Sequence, residues 1–245
     1  MELISFEFLF LLAIISFLYS SVGHGGASGY LALMALFNFN PVEMRSSALL
    51  LNILVSGIAF FQFFRSGNFR WKLFFPFAIL SIPMSFIGAN INPETHIYEI
   101  ILGLCLLVAA FRLAGSYTKK TLEEKREFQL FPSLLIGGGI GFVSGIIGIG
   151  GGIILSPILI FSRWASLKEA AAVSSLFILV NSLSGFTGLL YSGATFSHQI
   201  FLWMVAAVIG GFTGSYFGSR VLNQTALRYL LSAVLIFASI KLMIK

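Results

Sequence analysis

From Leu3 to Ile244 the chain is a succession of apolar runs, and one sustained charged stretch interrupts it, Lys119 to Glu127. Such a chain has too few polar residues to clothe an aqueous core. It is 58% hydrophobic and 10% charged, with a mean hydropathy of +0.96, where a soluble domain carries about 25% charged residues. Lipid is therefore the solvent that explains the pattern, and the expected fold is an all-α, multi-pass integral membrane protein. The start of the chain carries Glu2 and Glu7 and no basic residue before the first apolar run. A cleaved leader needs a basic n-region, so this run reads as a retained membrane segment.

The runs form two sets of five. The first set is Leu3–Val22, Gly26–Phe39, Ser46–Phe64, Trp71–Ile91 and Ile97–Gly115. The second is Phe131–Ile147, Gly151–Phe161, Glu169–Tyr191, His198–Val221 and Ala226–Ile244. Local sequence repeats with them. Gly23-His24-Gly25-Gly26 lies 125 residues before Gly148-Ile149-Gly150-Gly151, Ser66-Gly67 lies 126 before Ser192-Gly193, and Gly88 lies 130 before Gly218. A nearly constant offset over several segments is the mark of duplication. We read residues 1–117 as a first repeat, 118–130 as a charged cytoplasmic loop and 131–245 as a second repeat.

In each set the second run is short. About 14 and 11 residues reach only ~15–20 Å as helix, against ~30 Å of hydrocarbon. They read as half-helices, each starting at a glycine-rich break near mid-membrane. Charge places the connections. Arg65, Arg70 and Lys72 follow the third run of the first set, whereas Tyr191 to Gln199 holds no Lys or Arg. Glu94, His96 and Glu99 follow the fourth run, whereas Arg220 and Arg228 flank its counterpart. The polarity reverses between the sets, as it does for inverted-topology repeats. With the central loop inside, both termini fall outside, although Lys241 and Lys245 run against the rule.

The breaks carry the chemistry. Gly148, Gly150, Gly151 and Gly152 form one, and Gly23, His24, Gly25, Gly26 and Ser28 the other. A helix that restarts at such a turn offers unpaired N–H groups and the positive end of its dipole. Two such ends facing each other in a low dielectric would hold an anion without a basic side chain. Close packing is the alternative for these glycines, and it is the preferred reading for Gly137, Gly141 and Gly145, spaced four apart. Asn52 and Asn181 each lie in the third run of their set. A buried amide must find a partner, either a ligand or a neighbouring helix. Ser20, Ser21, Ser56, Ser174, Ser175 and Ser184 are weaker candidates. His24, the one ionisable residue at either break, could donate to an anion or carry a proton.

Other classes fit badly. All nine acids are Glu; without Asp, and without paired carboxylates, a Ser-His-acid set or metal-ligand spacing, no enzyme, metal or cofactor is indicated. Lone Cys105 reads as a small apolar residue. The net charge of +6 is spread between apolar runs, which argues against nucleic acid. The glycine spacing lacks the β-α-β setting of a dinucleotide loop. Nothing in the sequence sets an oligomeric state.

Gly145-x-x-Gly148-x-Gly150-Gly151-Gly152 with Pro157, in a small protein of two similar halves, resembles the sulfite exporter TauE/SafE family, also called toluene sulfonate uptake permeases. The first break departs from that pattern, with Ala27 for the third glycine and no match to Pro157. The resemblance implies transport of sulfite, thiosulfate, sulfonates or related organosulfur anions across the cytoplasmic membrane. The expected protein is thus a secondary transporter binding a small anion between half-helix N-termini. A passive anion channel with the same dipoles, or an accessory subunit that only packs glycine helices, is the alternative. Coupling to the anion's own gradient, to Na⁺ or to a proton on His24 stays open.

Overall fold

The computed structural model describes residues 6–21, 24–65, 67–114, 128–194, 199–218 and 224–244. Gly23, Ser66, His198, Arg220 and the charged stretch from Lys119 to Glu127 therefore lie outside the described residues. The described chain is all-helical, with ten helices: α1 Phe6–Ser21, α2 Ala27–Leu36, α3 Pro41–Arg65, α4 Trp71–Ala89, α5 Thr95–Ala114, α6 Leu130–Ile147, α7 Gly152–Phe161, α8 Leu167–Tyr191, α9 Ile200–Gly218 and α10 Gln224–Ile244. Five of them, α3, α4, α6, α8 and α9, are long and apolar enough to cross a membrane.

Local chemistry sets the boundaries. Ser166 and Glu169 start α8 with a capping box, each side chain taking the other's backbone N–H. At α3, Asn40 Oδ1 accepts the Val42 N–H, and Pro41 occupies the first turn. α6 ends on Gly148 with φ 90°, in the left-handed region that glycine enters without penalty. α2 and α7 are short, at 10 residues each. By length they span about 15 Å.

Large apolar side chains cover the outside of the bundle as well as filling its core. α4 exposes Phe75, Ile79, Ile82 and Phe86 while burying Ser81, Ser85 and Gly88. Between helices the stabilising contacts are close backbone approach and serine-to-carbonyl bonds, the means available where lipid is as apolar as leucine. A Cβ on Gly137, Gly141 or Gly145 would stand 2.2 Å from the carbonyl oxygen of Phe77, Ser81 or Ser85. Those three glycines are thus the α4–α6 seam that their spacing suggested. A matching seam joins α1 to α9. A Cβ on Gly210 or Gly214 would lie 2.1 Å from the carbonyl oxygen of Ala13 or Phe17, and Ser16 and Ser20 donate to the carbonyls of Ala207 and Gly211.

The two seams cross between the halves of the chain, so each half covers the other's small-residue faces. Contact numbers advance together along α4–α6 and α1–α9, which makes both pairs parallel. They advance together again along α4–α8, through Ser81 to Asn181 and Ser184 to Ile82, and along α3–α9, through Val55 at Gly211 and Gln62 to Ser215. They run oppositely along α5–α10, where Ser239 donates to Gly103 and Ser232 to Ala110, and along α3–α8. Two apolar cores flank these seams. One joins α1, α2, α3, α5, α9 and α10 around Tyr30, Tyr98 and Trp203; the other joins α4, α6, α7 and α8 around Phe77, Trp164 and Phe177.

Overpacking the seam is costly. Gly141→Leu is expected to lower stability by about 3 kcal/mol or more, read as a lowered thermal unfolding midpoint in detergent. Gly139→Leu, at a position where a Cβ meets nothing within 4 Å, is expected to leave the midpoint unchanged.

Candidate functional site

The half-helices begin in the same way. The residue preceding α2, Gly26, has φ 102°, and the residue preceding α7, Gly151, has φ 76°; neither carries a side chain to cap its helix. Gly150 is also left-handed, at φ 69°. These angles exclude most side chains, and the first-turn amides of each helix have no acceptor within the helix.

Both ends arrive at α3 and α8. Asn52 Oδ1 accepts the backbone N–H of Ala27 at 3.3 Å, and Asn52 Nδ2 donates to Ser182 Oγ at 2.8 Å. A Cβ on Gly25 would lie 2.2 Å from Asn52 Oδ1, and one on Gly150 would lie 2.5 Å from Asn52 Nδ2 and 2.6 Å from Ser182 Oγ. One carboxamide therefore touches both breaks. Ile178 is the other shared neighbour: added Cβ atoms at Gly25, Gly150 and Gly152 would meet it at 2.9, 3.1 and 2.2 Å. The ends of α2 and α7 thus converge on a point filled by the Asn52 carboxamide and the Ile178 side chain. Asn52, Ser182 and the glycines from Gly148 to Gly152 are all buried.

α3 and α8 have the same length, 25 residues, and on that register Asn52 and Ile178 occupy equivalent positions. The N-terminus of α2 meets a hydrogen-bonding side chain, whereas that of α7 meets an apolar one. Near α7 a different polar group waits. A Cβ on Gly151 would lie 3.0 Å from Ser144 Oγ, which is buried without a hydrogen-bond partner.

The remaining sequence candidates divide. Asn181 does not face the breaks. It accepts from Ser81 Oγ and donates to the Phe177 carbonyl, while its own carbonyl accepts from Ser85, so it joins α8 to α4. Ser28 donates to Tyr19 Oη at 3.0 Å. His24 is half-buried beside the first break, its backbone N–H bonded to the Tyr19 carbonyl. Gly148 lies against the Cα of Arg45. Sequence reading missed Ser182, Ile178, Ser144, Tyr30, Tyr98 and Arg45. Tyr30 Oη, reaching back from α2, donates to the Gly25 carbonyl, and Tyr98 Oη donates to the Ile147 carbonyl. Each break is thereby held by a buried phenol. The α3–α8 register was the signal that points to Ile178; the tyrosines gave none.

An asymmetry accompanies this geometry. α2 packs along α10, and Lys241 Nζ donates to the Leu36 carbonyl at its far end. α7 barely touches α5, and an apolar cavity of about 200 Å³ separates them, lined by Leu104, Cys105, Val108, Ile153 and Pro157 among others.

The model of the family described as sulfite exporter TauE/SafE matches residues 8–242. The chain belongs to that family. It is 36% identical over 233 residues to a "Probable membrane transporter protein" of Sinorhizobium fredii, covering 94% of each chain. A protein of the same description from Methanocaldococcus jannaschii is 29% identical over 200 residues, 74% of this chain and 73% of the relative. One from Xylella fastidiosa is 26% identical over 176 residues, covering 69% and 65%. No solved structure gives a significant match. The chain is thus a multi-pass protein of a membrane-transporter family, and the glycine motif of its second break lies well within the matched region.

Asn52 is the single group that ties the breaks together. Asn52→Leu leaves the Ala27 amide and Ser182 Oγ buried without partners and is expected to cost about 2–4 kcal/mol; Ser182→Ala is expected to cost about 1 kcal/mol. Thermal unfolding of the two variants and their double mutant measures the coupling, which this geometry requires to be non-additive.

Proposed function

We propose that the chain is a secondary transporter of the cytoplasmic membrane that carries a small sulfur-containing oxyanion, of the sulfite, thiosulfate or sulfonate class, held between the N-termini of α2 and α7. The observation that carries this reading is the convergence of two uncapped helix ends on Asn52 and Ile178. Such ends favour negative charge, most strongly where water is excluded. A sulfonate or thiosulfate oxygen shell accepts several N–H donors at once. The α7 amides, the Asn52 Nδ2 and the Ser144 hydroxyl are donors of that kind within the same small region. In the packing described above, Ile178 fills the space an anion would take, and its side chain has to rotate away on loading.

Inverted repeats supply the movement. α1, α3 and α9 run one way and α4, α6 and α8 the other, so the equivalent pairs α1/α6, α3/α8 and α4/α9 are each opposed, as are α5/α10. A carrier of this design exchanges two mirror-related packings around a fixed site. The snug α2–α10 contact beside the open α5–α7 cavity is the difference expected of one such packing. Import and export are both compatible with it.

The test is counterflow in proteoliposomes. Vesicles preloaded with unlabelled thiosulfate should accumulate labelled thiosulfate transiently and saturably. Gly152→Leu, whose side chain would be driven into Ile178, should abolish counterflow, while Gly139→Leu should retain it. Anion flux carried as large single-channel currents would favour a pore instead. Flux equal to that of empty vesicles, in a protein that keeps its unfolding transition, would sink the carrier reading.

A further inference from the structure

Arg45 is a cation inside the protein that, among the described residues, pairs with no anion. It is only 2% exposed, yet its partners are all neutral. Nη1 donates to Asn92 Oδ1 at 3.1 Å, and Nη2 donates to the carbonyls of Ala89 at 2.9 Å and Gly145 at 3.3 Å. Its Nε is buried with no hydrogen-bond partner. A guanidinium has five N–H donors in a fixed fork, shaped for two oxygens of one oxyanion. A buried charge without a counter-charge is expensive; the C-terminal carbonyls of α4 and α6 offset part of that cost, and Nε is left with a donor to offer.

Its place in the fold says what visits. Arg45 precedes Asn52 by seven residues on α3, so the two lie on one helix face about 10 Å apart along the axis. The second break runs between them. Gly148 lies against Arg45, and Gly150 against Asn52. Toward the outside, Asn92 is exposed, so the guanidinium sits one side chain below the surface. The equivalent position on α8 is Ala171, so the second half has no buried cation at the matching place.

We propose that Arg45 is a substrate-contacting, charge-selecting residue on one approach to the site, and that it gives the transporter its preference for doubly over singly charged oxyanions. The inference rests on the anion-carrier reading above and adds to it the charge of the favoured substrate. An arriving oxyanion takes the unbonded Nε and displaces the weaker carbonyl partners. That exchange loosens the link from α3 to the ends of α4 and α6 on that side. Coulomb attraction scales with the product of the charges, so the benefit to a dianion, on a logarithmic scale, is about twice that to a monoanion.

The experiment measures binding of thiosulfate, a dianion, and methanesulfonate, a monoanion, to the purified full chain, by thermal shift and titration. For Arg45→Gln we expect thiosulfate affinity to fall by about 100-fold and methanesulfonate affinity by about 10-fold. Arg45→Lys should keep most of the dianion preference. Asn92→Ala, which removes an anchor of the guanidinium and not its charge, should bind thiosulfate within about threefold of the parent. Equal losses for the two anions in Arg45→Gln, or a loss in Asn92→Ala as large as in Arg45→Gln, would overturn the proposal and leave Arg45 a brace between helix ends. If Arg45→Gln does not fold, Arg45→Lys decides: retained dianion preference supports the proposal, and lost preference defeats it. A parent protein that binds neither anion would defeat the carrier reading itself, whereas a parent that binds thiosulfate with Arg45→Gln unchanged defeats this inference alone.

Discussion

In hydrocarbon, a backbone amide without an acceptor is an expense that water cannot relieve. A helix that stops partway through the membrane therefore needs something specific at its end. Here two helices stop, and the structure answers with one buried carboxamide, Asn52, set where both breaks can reach it. Much of the surrounding architecture follows from that need. α3 and α8 must be long, continuous and antiparallel to carry Asn52 and Ser182 to the same level. The glycines must lack side chains because the Asn52 and Ile178 atoms already occupy the space. Tyr30 and Tyr98 must donate to the carbonyls that the chain reversals leave exposed.

Near-symmetry and its failure are both informative. Equivalent helices make equivalent seams, α4 on α6 and α1 on α9, with matching glycine-to-carbonyl approaches. At the centre the equivalence lapses. Asn52 opposes Ile178, and Ala171 stands where Arg45 has its counterpart. The Ala27 amide of α2 already has a protein acceptor, whereas no side chain caps α7. A ligand bound there would sit off-centre, closer to the second half.

The helices and the seams were legible in the sequence because their causes are local. Every apolar run became a helix, shifted by a few residues at its ends, and the four-residue glycine spacing marked the α4–α6 seam. The half-helices were legible from length alone. The interior of the site was legible only in part. Asn52 stood out as an amide in an apolar run, but Asn181 stood out equally, and it bonds α4 through Ser81 and Ser85. Its neighbour Ser182 faces Asn52 because one step along a helix turns the side chain by about 100°. Repeat offsets were uncertain by a residue, more than enough to miss that turn. Arg45 was overlooked because it lies beside the first apolar residues of α3, where a charge passes for a membrane-edge anchor.

The crossing seams also bear on how the chain is made. Ser16 finds its acceptor in Ala207, 191 residues later, and the glycine face of α9 closes on α1 only when nearly the whole polypeptide has been synthesised. Neither half closes its glycine and serine seam by itself. The α1–α9 seam can therefore close only once the ninth helix has joined the bundle.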